Sequence, residues 1–467
     1  MFETATYRSR RQHLVEEGPN SGLVLLLGNK RCPRNYESNP YPFHQDSTFL
    51  YYFGLDRPNL CGITDLDEGT STLYGEETDL EEVIWTGEQT SLPEAAEAAG
   101  ISSTAPLSDL EDRLAAATRN GRPVHFLPPY RDEHRRRFEH LLGLRNDRLD
   151  ARASEPLIRT VVRQRSRKTE AEVSQIEDAL ETTARLHKHA MRHATPGTVE
   201  REIVGALRGT VVSKDVSLSF PPTCSVQGEV LHNHSYSNTL QSGDLLLLDA
   251  GATSPRHYAS DVTRVTPVGG TFSDRQHAIY EAVRAAQMAG IEALEPGVAF
   301  REVHLRAAQE LANQLIDIGL MQGDAEEAVA AGAHALFFPH GLGHMLGLDA
   351  HDMENLGEEY VGYGKDQTRD SQFGLHTLRL ARPLHPGFVV TVEPGCYFIP
   401  SLVDRWREQN RHEQFINYDS VEYFLDFGGI RIEDDVLITQ NGARVLGPEI
   451  PKTPGEVESY AGAVTGR

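Results

Sequence analysis

Apolar positions along the chain follow two regimes that change near residue 150. Before that point, short apolar runs alternate with turn-rich stretches, and residues 22–28, 48–54, 62–65, 82–85 and 124–127 each read as a strand. Between them, 93–99 and 107–118 carry helical spacing, so this part is predicted to be an α/β domain with a mixed sheet. Farther on, the apolar period lengthens. Over 169–193, Val173, Ile176, Ala179, Leu180, Thr183 and Leu186 share one helical face, Glu170 and Glu172 stand in the first turn, and Pro196-Gly197 marks the stop.

The same reading predicts helices over 199–212, 273–290, 299–318 and 325–335, and strands over 245–250, 257–265, 388–393 and 429–439. The polar, arginine-rich stretch 145–154 is the expected boundary. It gives a first domain of residues 1–155, a second of 156–455 and a polar tail of 456–467.

Charge narrows the functional classes. Across 467 residues, 45 Lys+Arg stand against 68 Asp+Glu, a net −23 at pH 7, and such a surface repels phosphate backbones and anionic headgroups. Nucleic-acid and membrane partners are therefore not expected. The longest apolar runs, 23–27 and 245–248, fall far short of the ~20 residues that span a bilayer. The arginine-bearing N-terminus leads into no signal-type apolar stretch, which makes the cytoplasm the expected location. Cys32, Cys61, Cys224 and Cys396 lie far apart with no C-x-x-C pair, so reduced thiols are expected.

The candidate chemistry lies in acids and histidines set into apolar or glycine-rich segments. Asp249 ends the run Leu245 to Leu248, where an ionised carboxylate needs a positive partner. Asp261 and Thr263 are two apart and share a strand face, as do Thr391 with Glu393 and Arg431 with Glu433. His340, His344 and His351 fall within twelve positions among glycines that permit close backbone approach. Taken singly, each acid suits a solvated strand end, each histidine a structural hydrogen bond, and a pair of the acids suits glycosidase-like acid and base work. Jointly, four carboxylates (Asp249, Asp261, Glu393, Glu433) and a neutral histidine balance the charge of two divalent cations. Mixed carboxylate and imidazole donors suit manganese, iron, cobalt or zinc.

In order and wording, Leu248-Asp-Ala-Gly-Ala252, Ser260-Asp-Val-Thr-Arg264, the His340-to-Asp352 segment, Thr391-Val-Glu-Pro-Gly395 and Gly429-Ile-Arg-Ile-Glu-Asp-Asp435 resemble the proline-specific metallopeptidases, aminopeptidase P and prolidase. Phe43-His-Gln-Asp-Ser47 and Ile84-Trp-Thr-Gly87 extend the likeness into the first domain. The resemblance implies an α/β (α+β) chain whose second domain has the pita-bread fold. It implies hydrolysis of the bond before proline, with a hydroxide bridging two divalent ions, manganese first and zinc, cobalt or iron as alternatives. The implied metal ligands are Asp249, Asp261, His344, Glu393 and Glu433. Glu393, His351 and His340 would be catalytic, and His232, His340, His351, Arg379 and Arg431 would bind substrate.

The substrate would be a proline-containing di- or oligopeptide, and the assembly a homodimer or higher homo-oligomer. Leu375-His-Thr-Leu-Arg379-Leu-Ala-Arg382 has the wording of a prolidase segment that grips a dipeptide's carboxylate, which makes a strict dipeptidase the alternative to an aminopeptidase. Trp85 resembles a tryptophan that reaches a neighbouring subunit's site in aminopeptidase P, with a buried structural tryptophan as the other reading. Pro222 departs from the family's usual aromatic or polar residue. A non-catalytic binding module, a creatinase-like hydrolase and a methionine aminopeptidase are more distant readings.

Only six of the 45 basic residues are lysines, and this arginine-rich, acidic composition is the one expected of a salt-rich cytoplasm. At ~1 M salt the Debye length is ~3 Å, which screens self-repulsion. The thermal midpoint is therefore expected to rise between low and molar NaCl, and a flat or falling midpoint in a calorimetric salt series would remove this reading.

Overall fold

The computed structural model describes residues 1–364 and 367–461. The chain divides into two compact units, one of residues 1–165 with 354–360, the other beginning at Ser166 and resuming at Val361. The division falls at the end of helix Glu155–Ser166, whose first residue is the boundary expected from sequence. Of the expected tail, residues up to Ala461 belong to helix Pro454–Ala461, with Val457 and Ala461 buried, and 462–467 lie outside the described residues. Among the described residues no helix is long and apolar enough to cross a membrane.

The first unit is built on a mixed five-stranded sheet of β1 (Leu23–Leu27), β2 (Cys61–Asp65), β3 (Thr70–Tyr74), β4 (Ser103–Ala105) and β5 (Val124–His125), in the order β4-β3-β2-β1-β5. β1 to β3 pair antiparallel, while β4 and β5 join parallel.

Two of the expected strands are helices. Ser47–Phe53 is a helix because the Asp46 side chain accepts the Phe49 N–H and Gly54 closes the end in the left-handed region. Its seven residues are all buried, and a fully buried run has no period to separate helix from strand. Leu80–Thr86 is likewise a helix, capped by Asp79 on the Glu82 N–H. None of its residues is buried, so its apolar side chains do not mark a sheet face.

In the second unit the long helix Glu170–His193 starts at a Thr169–Glu172 capping box and buries the predicted stripe. Helices Glu200–Ser213, Asp274–Glu292 and Phe300–Ile318 match expectation to within two residues, while 325–335 divides into Ala325–Ala331 and a 3-10 turn, Ala333–Leu336. The strands form three small sheets: β6 (Thr223–Ser225), β7 (Leu245–Ala250) and β8 (Val262–Pro267); β9 (Val389–Val392) with β12 (Asp434–Thr439) and β13 (Gly442–Val445); and β10 (Gly395–Tyr397) with β11 (Gly429–Arg431). The expected strand 429–439 is thus two strands, interrupted at Ile432 and Glu433 where the chain changes sheets.

Arg264 of β8 ties the strand ends together. Its guanidinium donates to Asp434 Oδ1 at 2.6 Å and to the carbonyls of Glu433 and Pro451, and its side chain is 3 % exposed. Although buried, Asp434 is held at about 2 by Arg264 and Lys452. Removing one partner of such a pair leaves an uncompensated buried charge, so Arg264→Leu is expected to cost about 3–5 kcal/mol in urea unfolding. Arg407→Ala, which removes the exposed pairs with Asp419 and Glu422, is expected to leave the midpoint unchanged.

Candidate metal centre and peptide pocket

Register decides what meets at the centre of the second unit. Asp249 of β7 lies opposite Thr263 of β8, Gly395 of β10 opposite Arg431 of β11, and Thr391 of β9 opposite Asp435 of β12. Asp261, Glu393 and Glu433 stand immediately outside strand ends, so their side chains converge where the sheets meet. Segment 342–346 lies along β9 through the bonds Thr391 N–H to His344 O, Leu346 N–H to Val389 O and Glu393 N–H to Leu342 O. Gly343 makes this approach possible, since a Cβ there would sit 2.1 Å from the Thr391 carbonyl oxygen.

The result is a cavity of about 380 Å³ lined by all ten residues singled out from sequence: Asp249, Asp261, His344, Glu393, Glu433, His340, His351, His232, Arg379 and Arg431. Donor atoms of Asp261, His344 and Glu433 lie within 4.8 Å of one another. His344 Nδ1 bonds the Met345 carbonyl at 3.1 Å as the donor, so the Nε2 lone pair faces Asp261 Oδ2 at 3.6 Å and Glu393 Oε1 at 3.5 Å. The ring of His351 packs on that of His344 with centroids 4.0 Å apart.

The carboxyls are individually anchored. Thr263 Oγ1 donates to Glu433 Oε2 at 2.7 Å and accepts from Arg431 Nε at 3.2 Å. Arg431 also donates to Asp249 Oδ2 at 2.6 Å and to the Tyr397 hydroxyl at 2.9 Å. The Asp261 backbone N–H donates to Asp435 Oδ2 at 3.0 Å, and Thr391 Oγ1 donates to Glu393 Oε1 at 3.3 Å. His340 gives its Nδ1 proton to the Gly341 carbonyl, leaving Nε2 to accept the Tyr397 O–H at 2.9 Å.

Burial sets the electrostatics. It raises the Asp261 and Glu433 carboxyls well above the ordinary range, an effect their acidic neighbours reinforce, and it pushes Glu393 up to about 7 against the pull of Arg431. It also brings His340 down to about 3 and His344 well below its usual value, so both imidazoles are neutral. Asp249 Oδ1 and Asp261 Oδ1 are buried with no hydrogen-bond partner. A carboxylate cluster with orphaned oxygens beside a neutral imidazole lone pair is what a divalent cation requires, and these residues fit one.

Sequence reasoning noted Tyr397 only as part of a prolidase-like connection between Glu393 and Glu433 and gave it no role in the site, where its hydroxyl joins Arg431 to His340. It also passed over the pocket-lining Phe220, Leu231, His234 and Thr377, although these flank His232 or lie in segments already singled out. Pro222 lends its carbonyl to the Tyr236 hydroxyl at 2.7 Å. Trp85 is 81 % exposed, which contradicts the buried structural reading.

A buried carboxylate and imidazole cluster suited to divalent cations, at the junction of small sheets, defines a metallohydrolase-type centre. Residues 174–440 match metallopeptidase family M24 and residues 7–125 match the aminopeptidase P N-terminal domain. The chain belongs to metallopeptidase family M24. It is 30 % identical over 451 residues to a probable Xaa-Pro aminopeptidase of Aspergillus clavatus, covering 94 % of this chain and 93 % of that one. To the human Xaa-Pro dipeptidase it is 30 % identical over 473 residues, with 97 % and 90 % covered. The Pseudomonas aeruginosa aminopeptidase PepP superposes with a TM-score of 0.81 at 28 % identity over the whole of both chains, which establishes the pita-bread fold.

A carboxyl whose folded-state pKa is raised stabilises the fold most when protonated. For Glu393, at about 7 against ~4.3 unfolded, that stability is fully present below pH ~4.3 and is lost as pH rises through about 7. Metal-free protein is therefore expected to lose thermal stability between about pH 5 and 8, with the loss reversed by divalent metal. A chelated sample whose midpoint rises over that interval would contradict the assignment.

Proposed function

We propose that this chain is a metal-dependent Xaa-Pro peptidase that hydrolyses the bond before proline. Asp249, Asp261, His344, Glu393 and Glu433 hold two divalent ions; the family resemblance makes these manganese, and the mixed carboxylate and imidazole donors suit zinc, cobalt or iron equally. The observation that carries this reading is the meeting of all five donors in one cavity, with two buried carboxylate oxygens lacking any partner. When bound, the ions supply Lewis acidity and lower the pKa of water.

The chain's own groups do the rest. Glu393, at about 7 in the metal-free protein, takes the proton released when water attacks and delivers it to the departing proline nitrogen. That nitrogen is tertiary in the substrate and leaves as a secondary amine, so the bond breaks only as it gains a proton. His351, lining the same cavity, holds the substrate and stabilises the charge that develops on the carbonyl oxygen, while His340, with both ring nitrogens engaged by the Gly341 carbonyl and the Tyr397 hydroxyl, shapes the wall against which the substrate rests. Neutral His340 is kept so by burial, with the Tyr397 O–H on its Nε2. Arg431 fixes Asp249, and His232 stands at the cavity wall.

Arg379 supports dipeptide capture as the second reading, because it lines the cavity and a guanidinium offers the bidentate geometry a free carboxylate accepts. The exposed Leu80, Ile84 and Trp85 on one short helix, each more than 70 % accessible, support assembly into a homodimer or larger oligomer.

The test compares an Xaa-Pro dipeptide with the same peptide extended by one residue, in wild type and Arg379→Ala, after chelation and reloading with manganese. Activity on both peptides is expected to vanish on chelation and return with metal. Arg379→Ala is expected to raise the dipeptide KM by about 10-fold or more, the loss of a charge-assisted bidentate contact. Unchanged dipeptide kinetics would remove Arg379 from the site, and no turnover of either peptide by metal-loaded protein would remove the function.

A further inference from the structure

Lys168 and Asp352 form an ion pair that the chemistry above does not use. Lys168 Nζ lies 3.0 Å from Asp352 Oδ2, and both side chains are 1 % exposed. Burying two charges this completely is expensive, and an apolar pair of similar volume would hold the fold as well or better. A pair that persists under that cost calls for a role other than stability.

Its place in the chain suggests which. Segment 342–346 is bonded to β9, but beyond Leu346 the chain leaves the strand, and it returns at Asp352, whose N–H donates to the Met345 carbonyl at 2.9 Å. That excursion delivers His351 back onto His344. The side chain of Asp352 spans the closing loop, with Oδ1 accepting the Asp349 N–H at 3.4 Å and Oδ2 receiving Lys168. Lys168 is in turn fixed by its backbone N–H on the Gly387 carbonyl at 2.7 Å, just before β9.

Gly347 belongs to the same device. A Cβ there would stand 2.3 Å from Asp352 Oδ2 and 3.0 Å from Lys168 Cε, so the loop keeps a glycine where the pair passes. The pair therefore refers the return of the loop to a point on the backbone that also leads into the strand carrying Thr391. His351 is thereby held at a set distance from the metal donors.

The geometry points to Lys168 and Asp352 as positioning residues that set where His351 stands over the reacting centre. This rests on the role given to His351 above. It goes beyond that role in assigning the placement of the imidazole to a charge pair outside the cavity lining. An imidazole displaced by about 1 Å loses up to about 100-fold in rate without changing the chemistry available.

The experiment uses Lys168→Met, Asp352→Asn, His351→Ala, and each of the first two combined with His351→Ala. For each, kcat, KM, bound metal per chain and thermal midpoint are measured. Each single positioning variant is expected to lower kcat by about 10–100-fold with metal content retained. Added to His351→Ala, neither should lower kcat further, since a residue acting through another has nothing left to position. Losses that multiply, or a single variant with wild-type kcat, overturn the inference.

Because breaking a buried pair can unfold the chain, Lys168→Met/Asp352→Leu is measured as well. It is expected to melt at or above the wild-type temperature, bind the same metal and still lose kcat. Full activity in that variant would show that the charges position nothing. Its crystal structure supplies a readout independent of turnover. The His351 ring should be displaced from His344 relative to wild type, and an unmoved ring overturns the inference even if the wild-type protein cleaves no Xaa-Pro peptide, a result that would count against the functional reading alone.

Discussion

Four carboxyl groups share one buried cavity, and their mutual repulsion is the constraint to which the surrounding structure responds. Burying even one ionised carboxylate without compensation costs several kcal/mol, and here Asp261, Glu393 and Glu433 are all driven toward protonation while Arg431 reaches Asp249. Such a cluster survives folding only if protons or cations neutralise it. The strands supply what side chains alone cannot, because every carboxylate donor stands at or just beyond the end of a strand whose hydrogen-bonded ladder fixes its backbone. Metal affinity is thus prepared by the sheets, and without a cation the same charges oppose the fold.

Three consecutive acids show how finely the environment divides. Glu433 lies in the gap between β11 and β12, faces the cavity and is raised. Asp434, one residue on, meets Arg264 and Lys452 and is lowered to about 2. Asp435 turns back and receives the Asp261 N–H, holding a second donor in place from its far side. Alternation along an extended chain turns the first into the cavity, makes the second a structural anion and makes the third a backbone clamp. Arg264 then binds the Glu433 carbonyl as well, so the structural ion pair and the donor position are mechanically one unit.

The convergence of the cavity's acids and His344 was legible because they sit in short motifs whose apolar and polar alternation assigns faces, and because the five motifs occur in one order. The features that escaped were of two kinds. Ser47–Phe53 is buried on every side, so no periodicity separates helix from strand, and only the Asp46 cap and Gly54 carried the signal. Leu80–Thr86 misled for the opposite reason, since apolar residues on an exposed helix imitate a strand facing a core that is not there. The second kind is contact between distant residues. Tyr397 meets Arg431 across 34 positions and Lys168 meets Asp352 across 184, and neither separation leaves a local pattern. Motifs report what touches the reacting centre, while the residues that hold those motifs in place are visible only once the chain is folded.

On the function proposed above, the division between strands and loops also separates reaction from selectivity. Donors fixed at strand ends suit any amide that reaches the centre, because they act on the carbonyl and the water rather than on the side chains of the peptide. His232 after β6, the 340–352 segment and Arg379 just after the 3-10 turn Leu375–Thr377 line the same cavity from irregular backbone, and the reading proposed above gives recognition of the peptide to them. Loops tolerate change where strands do not, so on that reading a change in the preferred peptide length would be made in these loops rather than in the strands. Irregular backbone is also the least able to hold a side chain to a fraction of an ångström. Close anchors such as the Tyr397 hydroxyl on His340 and the Lys168–Asp352 pair beside His351 therefore lie next to the histidines of that segment, where the strand ladder no longer supplies the rigidity the chemistry requires.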